Sequence, residues 1–211
     1  NAIFGFETLG ICDNQELYDK YAPMMQKYNP KWGMGDIIIK DRTGEGVIND
    51  EDRTVIGNSI PRFTFGLNLG FEYKGFDFSC FFQGVGKADG YVTMEAIQLM
   101  GINGARKEHY KESFNPQDPK PGAYFPRILS SDYNYAYMSH WVQDASYIRL
   151  KNLQIGYSFK IKGLNQLRVY ASGENLFTAT KYRTWDPETP VGARGFYPNV
   201  AVYSMGVNLN F

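Results

Sequence analysis

The sequence predicts an all-β protein whose strands form an antiparallel segment of a transmembrane β-barrel, and three observations support this fold class. Apolar and polar side chains alternate over long stretches with the period of a β-strand, two residues. Short turns alternate with long connections along the chain. Aromatic residues make up 16% of the 211 residues, which suits a lipid-facing surface with interfacial girdles.

The clearest alternation is a hairpin at 62–87. Residues 62–73 read RFTFGLNLGFEY, in which every second residue from Phe63 to Tyr73 is apolar. The alternation resumes after Lys74-Gly75, a two-residue turn in which glycine supplies the positive φ that such hairpins use. Each of the two strands is long enough to cross a bilayer at a tilt.

The same reasoning gives six strands in all. The predicted strands are 2–9, 62–73, 76–87, 146–161, 167–180 and 201–211. The predicted long loops are about 10–61, 88–145 and 181–200, the second with one short helix at 106–112. Short periplasmic turns that alternate with long extracellular loops are typical of outer-membrane barrels.

Alternation alone also fits a soluble β-sandwich with one solvated face. The asymmetry of the connections favours the membrane barrel, and so does the last strand. That strand places an apolar residue at every second position and ends in Phe211. It resembles the C-terminal signature that the outer-membrane barrel assembly machinery reads.

Six strands are too few for a closed barrel of this class, which has at least about eight. An open sheet edge in lipid would leave backbone groups unpaired. We therefore expect these strands to pair with a further segment or a second chain. Counting back from a periplasmic C-terminus places the loop 10–61 outside the cell and makes 2–9 the top of an outgoing strand.

Composition argues against several other classes. The 22 basic and 22 acidic residues balance, so charge gives no support to a nucleic-acid partner. No run approaches the roughly 18 apolar residues of a membrane-spanning helix. Cys12 and Cys80 are expected to be separate thiols. His109 and His140 are isolated in the sequence and no Ser/His/acid motif is present, so we expect no enzyme.

Several segments resemble the SusC/RagA family of TonB-linked outer-membrane transporters. Residues 35–85, GDIIIKDRTGEGVINDEDRTVIGNSIPRFTFGLNLGFEYKGFDFSCFFQGV, match its Gly-Asp lead, its acidic glycine loop and its Phe-rich hairpin. The segments SHWVQDASYIRLKNLQIGYSF, LRVYASGENLFTATKY and YSMGVNLNF resemble the last three strands of the family, in the same order. The segment AIFGFETLGI is similar to the one that precedes the glycine loop.

The resemblance implies the C-terminal part of a barrel of about 22 strands with an N-terminal plug, in the outer membrane of a Gram-negative bacterium of the Bacteroidota. Its expected function is import of glycans or peptides. The expected partners are a SusD-like surface lipoprotein, TonB through an N-terminal part, the rest of the barrel and plug, and membrane lipid. A non-transporting outer-membrane barrel, either a surface adhesin or an assembly scaffold, is the alternative.

The loop at 41–52, DRTGEGVINDED, is a candidate calcium site. Hard oxygens at alternate positions can wrap a cation, and Gly46 permits the sharp turn that such a loop needs. The candidate ligands are Asp41, Thr43, Glu45, the Val47 carbonyl, Asn49 and Asp52. The alternative is a turn held by side-chain hydrogen bonds of the Asx type. A bound cation would act as a structural clip.

Aromatic and polar residues of the strands and loops have predicted places. Girdle residues are expected to be Trp141, Tyr147, Tyr182 and Tyr203 at the outward ends, and Tyr73, Phe76, Phe159 and Phe211 at the inward ends. The barrel interior is expected to be lined by Asp77, Gln83, Gln154, Arg168 and Glu174. Candidates for contact with substrate or lipoprotein are Tyr133, Tyr135, Tyr137, Trp185 and Tyr197.

Overall fold

A computed structural model describes residues 2–92, 107–119, 121–128, 132–163, 165–183, 186–189, 197 and 199–211. The chain divides into two compact units. The first is built mainly from 1–60 and 89–143, and the second from 61–88, 144–189 and 195–211. No helix within the described ranges is both long and apolar enough to cross a membrane.

The elements follow one another along the chain in this order. They are β1 (Ala2–Phe6), β2 (Thr8–Ile11), α1 (Gln15–Tyr28), β3 (Ile37–Ile39), a 3₁₀ helix (Asp50–Asp52), β4 (Arg53–Asn58), β5 (Phe63–Tyr73), β6 (Phe76–Gly86), β7 (Asp89–Tyr91), α2 (Lys107–Glu112), two 3₁₀ helices (Asp132–Tyr135 and Ser139–Trp141), β8 (Val142–Asp144), β9 (Tyr147–Phe159), β10 (Gln166–Thr180) and β11 (Val202–Asn210).

The second unit contains one antiparallel sheet in the order β11-β10-β9-β6-β5. Five of the six predicted strands form this sheet, and the two tight turns join β5 to β6 and β9 to β10 as expected. Gly75 has φ +88° in the first turn, the left-handed conformation for which glycine is needed. The all-β, antiparallel fold class is therefore confirmed.

Paired residues of neighbouring strands share a face of the sheet. The register therefore separates an apolar face from a polar one. Leu67 pairs with Phe82, and Ile155 pairs with Phe78. The polar face carries the five residues predicted to line the interior: Asp77, Gln83, Gln154, Arg168 and Glu174.

The apolar face is not packed into a core. Phe65, Leu67, Ile155, Val207 and Leu209 are 49%, 50%, 43%, 59% and 54% exposed. A soluble β-sandwich would bury these side chains between its two sheets. A transmembrane barrel turns them toward lipid. The described residues thus supply no second sheet that covers this face, which agrees with the barrel and not with a sandwich.

A β-bulge interrupts the alternation of β9. Phe81 pairs with Asn152, and the next residue, Phe82, pairs with Leu150. Lys151 is therefore an extra residue, opposite no residue of β6. A second irregularity lies on the other side of β9, where the pairing with β10 shifts between Glu174 and Phe177.

The bulge decides which side chains of β9 lie on the polar face. Beyond it, Arg149 pairs with Gln83 and Tyr147 pairs with Val85. Arg149 and Tyr147 therefore lie on the polar face, on which Gln83 was predicted. The predicted girdle position of Tyr147 is wrong, because the extra residue moves its ring to that face, where it is 7% exposed.

Two other predicted girdle residues are also buried. Trp141 is 0% exposed in the core of the first unit, and its indole N–H donates to the Asn134 carbonyl oxygen at 2.7 Å. Tyr182 is 8% exposed. The exposed rings of the predicted set belong to Tyr203, Tyr73, Phe159 and Phe211. Phe76 is partly covered by Phe71, with ring centroids 5.7 Å apart.

The first unit has regular structure where the sequence predicts only loops and one short helix. The helix α1 begins after Asn14, whose side chain accepts a hydrogen bond from the Leu17 amide, and it buries Ala22 and Met25. The predicted short helix at 106–112 is confirmed as α2, with residue 106 outside the described ranges.

The predicted strand at 2–9 is divided at Glu7 into two strands with different partners. β1 pairs with β4, whereas β2 pairs with β3. Both pairings lie in the first unit. The predicted strand is divided because its apolar side chains pack into the core of the first unit. Ile3 and Phe6 are 6% and 1% exposed there, and the same core buries β3 completely.

Candidate functional site

The polar face of the sheet carries a buried ionic network around Arg149. The Arg149 side chain is only 1% exposed. Its Nη2 donates to both carboxylate oxygens of Asp186 at 2.9 and 2.7 Å, and its Nη1 donates to Glu188 at 2.7 Å. Its Nε donates to the Thr178 hydroxyl at 2.8 Å. The guanidinium is thus held in a fixed orientation by two carboxylates and one hydroxyl.

Glu188 also accepts hydrogen bonds from three other side chains. It accepts hydrogen bonds from the Tyr147 hydroxyl at 2.8 Å, from Lys151 Nζ at 3.1 Å and from Asn199 Nδ2 at 2.5 Å. Burial raises the pKa of this carboxyl, but the hydrogen bonds from Tyr147 and Lys151 and the charge of Arg149 outweigh it and hold the pKa below its ordinary value. Glu188 is therefore an anion in a network of satisfied donors.

A second ion pair crosses the polar face nearer the turns that join β5 to β6 and β9 to β10. Arg168 donates to Asp77, from Nε at 2.9 Å and from Nη2 at 2.5 Å. Together with Glu72, Lys74 and Gln166, this pair lines an open cavity of about 520 Å³. The prediction that Arg168 and Asp77 share the inner face is thus supported by a direct contact between them.

Sequence reasoning missed the Arg149 network. Asp186 and Glu188 lie in the predicted loop 181–200, where carboxylates are common, and nothing in the local sequence indicates that they return to a strand. The one available signal was that Arg149 and Lys151 are the only charged residues of the strand β9.

In the first unit, Asp36 is the centre of a buried hydrogen-bond network. Its carboxylate is 2% exposed and accepts from Arg127 Nε at 2.8 Å, from Arg127 Nη2 at 2.6 Å and from Asn134 Nδ2 at 2.9 Å. The Asn134 side-chain oxygen accepts from the Ile37 amide at 3.0 Å. These contacts join residues that are more than 90 positions apart in the sequence, and we read them as structural.

The candidate calcium loop is closed by its own carboxylates. Asp41 accepts from the amides of Gly44 at 2.6 Å and Gly46 at 2.8 Å. Asp52 accepts from the amides of Arg42 at 2.8 Å and Asn49 at 2.9 Å. These are hydrogen bonds of the type expected for the Asx-turn alternative.

Three of the six candidate ligands converge at one point of this loop. The Thr43 hydroxyl lies 3.3 Å from an oxygen of Asp41 and 3.3 Å from an oxygen of Asp52. Asp52 Oδ1 accepts from the amides of Arg42 and Thr43 at 2.8 and 3.2 Å, and Asp41 Oδ1 accepts from the Gly44 amide at 2.6 Å, so hydrogen bonds within the loop already occupy these oxygens. Glu45 is exposed and does not join the cluster. Within the described ranges, no three His, Cys, Asp or Glu side chains gather as a metal site.

The candidate contact tyrosines have different environments. Tyr135 is 4% exposed, and Tyr133 donates its hydroxyl to the Ile37 carbonyl oxygen at 2.8 Å. Tyr137 is 61% exposed and stacks on Tyr91, with ring centroids 4.8 Å apart. Tyr197 is 81% exposed. Trp185 lies outside the described residues. Tyr137 and Tyr197 are therefore the candidates whose rings are accessible.

The two histidines, isolated in sequence, share one aromatic cluster in the first unit. His109 packs edge-on against Phe125 at 4.5 Å, and His140 packs edge-on against Trp141 at 4.6 Å. Tyr124 lies between them, 4.9 Å from Phe125 and 5.5 Å from His140. Burial lowers the pKa of His140, although a hydrogen bond to the Tyr124 carbonyl oxygen opposes the shift. The cluster is thus part of a packed core.

Comparison with known proteins agrees with this architecture. TonB-dependent receptor P3 of Formosa agariphila is 32% identical over 234 residues, covering 100% of this chain and 22% of that protein. TonB-dependent receptor SusC of Bacteroides thetaiotaomicron is 27% identical over 98% of this chain and 20% of its own length. The chain thus spans about a fifth of the length of these curated relatives. No family model matches the sequence.

Solved structures show the same fold. The structure of the RagAB peptide transporter matches with a TM-score of 0.73 and 22% identity, over 100% of this chain and 22% of the other. The RagAB peptide importer in the open-open state matches with a TM-score of 0.72 and 21% identity, over the same shares. At this identity the likeness concerns the fold.

A long antiparallel sheet with one exposed apolar face and one ionic polar face defines a segment of a transmembrane β-barrel. The relatives make the class more specific. The chain belongs to the SusC/RagA-type TonB-dependent receptors and corresponds to a C-terminal part of such a protein.

Proposed function

We propose that this chain is the C-terminal barrel part of a transporter in the outer membrane of a Gram-negative bacterium. The complete protein would import glycans or peptides with energy delivered through TonB. The observation that carries the proposal is the sheet of the second unit, because its exposed apolar face suits lipid and its polar face suits an aqueous passage. The names of the relatives support the same activity.

The proposal includes a SusD-like surface lipoprotein as partner and assigns the chain no catalytic role. It is supported by the relative named SusC and by the RagAB complexes among the solved structures. Of the candidate contact residues, Tyr137 and Tyr197 expose their rings, which suit the apolar faces of sugars or the side chains of a partner.

Uptake by intact cells tests the transport proposal. The gene for the full-length protein is deleted from its host and then restored. Uptake of labelled oligosaccharides and oligopeptides by both strains is measured with and without a protonophore. Energy-dependent uptake that requires the protein supports import and identifies the substrate class. Unchanged uptake of both pools upon deletion would favour the adhesin or scaffold alternative.

Tyrosine substitutions test the contact residues separately. Tyr137→Ala and Tyr197→Ala are expected to weaken binding of substrate or lipoprotein several-fold in the full-length protein. Tyr110→Ala is the matched control, since Tyr110 is 84% exposed and is not a candidate. Equal binding by all three variants would remove both residues from the proposed site.

A further inference from the structure

A short stretch of the loop that follows β10, residues 186–189, folds back onto the polar face of the sheet. Asp186 and Glu188 bind Arg149 of β9, and Glu188 also accepts from Tyr147 and Lys151 of the same strand. Asp186 and Glu188 keep 10% and 22% of their side-chain surface exposed. Residues 186–189 are therefore held against β9 by an ionic network that is largely buried.

The role that we infer for this network follows from its location on the polar face of the sheet. The polar face of a barrel strand lines the interior. A loop stretch that is fixed to this face occupies part of the cross-section of the passage, whereas a loop extended from the rim would leave it open. The β-bulge at Lys151 makes the arrangement feasible, since without the extra residue Arg149 would point to the apolar face.

We propose that Arg149, Asp186 and Glu188 form a latch that keeps residues 186–189 inside the barrel, and that the latched stretch narrows the passage and limits the size of the imported molecule. Arg149 is in this scheme a positioning residue. The second half of the inference rests on the proposed transport function, whereas the latch itself does not.

Thiol accessibility in the full-length protein, embedded in outer-membrane vesicles, tests the latch without transport. Thr189 is the reporter position, because its hydroxyl is buried and makes no hydrogen bond within the described residues. Thr189→Cys therefore changes little else. Cys12, Cys80 and every cysteine of the rest of the full-length protein are replaced by alanine, so that the reporter thiol alone reacts with a maleimide-polyethylene glycol probe.

We expect slow modification in the latched protein and modification at least tenfold faster with Arg149→Ala. Arg149→Lys should give an intermediate rate, because an ammonium group cannot bridge both carboxylates as a planar guanidinium does. Arg168→Ala is the matched control, since it breaks the other ion pair of the same face and should leave the rate unchanged. Equal modification rates in the latched protein and in Arg149→Ala would overturn the latch.

Folding of each variant is checked by its heat-modifiable migration in gels, and Asp186→Asn replaces Arg149→Ala if the latter does not reach the membrane. Uptake of a size-graded series of the transported substrate tests the narrowing. Arg149→Ala should increase uptake of the larger members relative to the smallest. An unchanged size profile in a variant with faster thiol modification would refute the narrowing of the passage. If the unmodified protein gave no uptake at all, the transport function would be refuted. The thiol modification rates would still decide whether the latch exists.

Discussion

Arg168 of β10 reaches across the whole width of β9 to donate two hydrogen bonds to Asp77 of β6. It passes over Gly156, where an added Cβ would collide with the side chains of both partners. The glycine in the middle strand therefore provides the space for an ion pair between its two neighbours. In the sequence, Gly156 is only one small residue in an alternating strand.

Gly156→Ala is expected to displace the ion pair and to destabilise the barrel by about 1–3 kcal/mol, the usual range for overpacking. Gly70→Ala is the matched control on the same face, because a Cβ there meets its nearest atom, a backbone oxygen, at 3.4 Å. Urea unfolding of the full-length protein in vesicles measures both variants. Equal stability of the two would show that the contact over Gly156 has no energetic role.

Val207→Arg is expected to impair folding into lipid, because arginine on the lipid face near the middle of a bilayer costs about 2–4 kcal/mol. Val207 is 59% exposed on the apolar face of β11. Ser204→Arg places the same side chain on the polar face of the same strand, opposite Ser172, and should be tolerated. Folding yields into liposomes compare the two. A larger loss with Ser204→Arg would reverse the assignment of the faces.

Arg127→Leu is expected to destabilise the first unit by about 3–5 kcal/mol, the range for removing one partner of a buried pair. It would leave Asp36, 2% exposed, without its guanidinium. Lys40→Leu is the matched control, since the Lys40–Glu7 pair is solvent-exposed and should contribute about 0–1 kcal/mol. Hydrogen exchange at the amides of β3 reports the difference. Unchanged protection in Arg127→Leu would contradict the role of the pair.

The latch is expected to lose stability in acid. The pKa of Glu188 in the folded state lies below its ordinary value of 4.5, so its contribution is complete above that value and is lost as pH falls through the folded-state pKa. The difference in melting temperature between the unmodified protein and Glu188→Gln should therefore shrink as pH is lowered below about 4.5. Glu174→Gln controls for the loss of a carboxylate from the same face. A difference that grows in acid would contradict the assigned direction.

The calcium hypothesis for the loop 41–52 predicts saturable heat when calcium is titrated into chelator-treated protein, and a higher melting temperature. Asp41→Asn should abolish both effects, because Asp41 is one of the three candidate ligands whose side-chain oxygens lie close together. Asp50→Asn is the matched control, since this neighbouring carboxylate is 90% exposed and outside the ligand positions. If calcium gave no heat above that of dilution, the loop would be a turn held by Asx-type hydrogen bonds and not a calcium site.

The strands of the sheet could be predicted from the sequence, since alternation is a local property and the segment 62–73 shows it without interruption. The prediction for Tyr147 was wrong because an extra residue at Lys151 shifts the phase of the alternation, from Ile148 and Leu150 to Leu153 and Ile155. The sequence shows this shift only as two consecutive polar residues, Lys151 and Asn152. The helix α1 had a readable signal in Asn14, followed by Glu16 in the first turn, but Pro23 within it obscures the pattern.

The sequence by itself determined the β-barrel fold class and, except beyond the bulge of β9, the two faces of the sheet, because these follow from the period of the strand and from solvent preference. Only the tertiary structure decided that the predicted loops 10–61 and 88–145 contribute to one packed unit, and that Arg149 binds Asp186 and Glu188. Such contacts join residues that are dozens of positions apart, and they depend on register and burial, which no local pattern encodes.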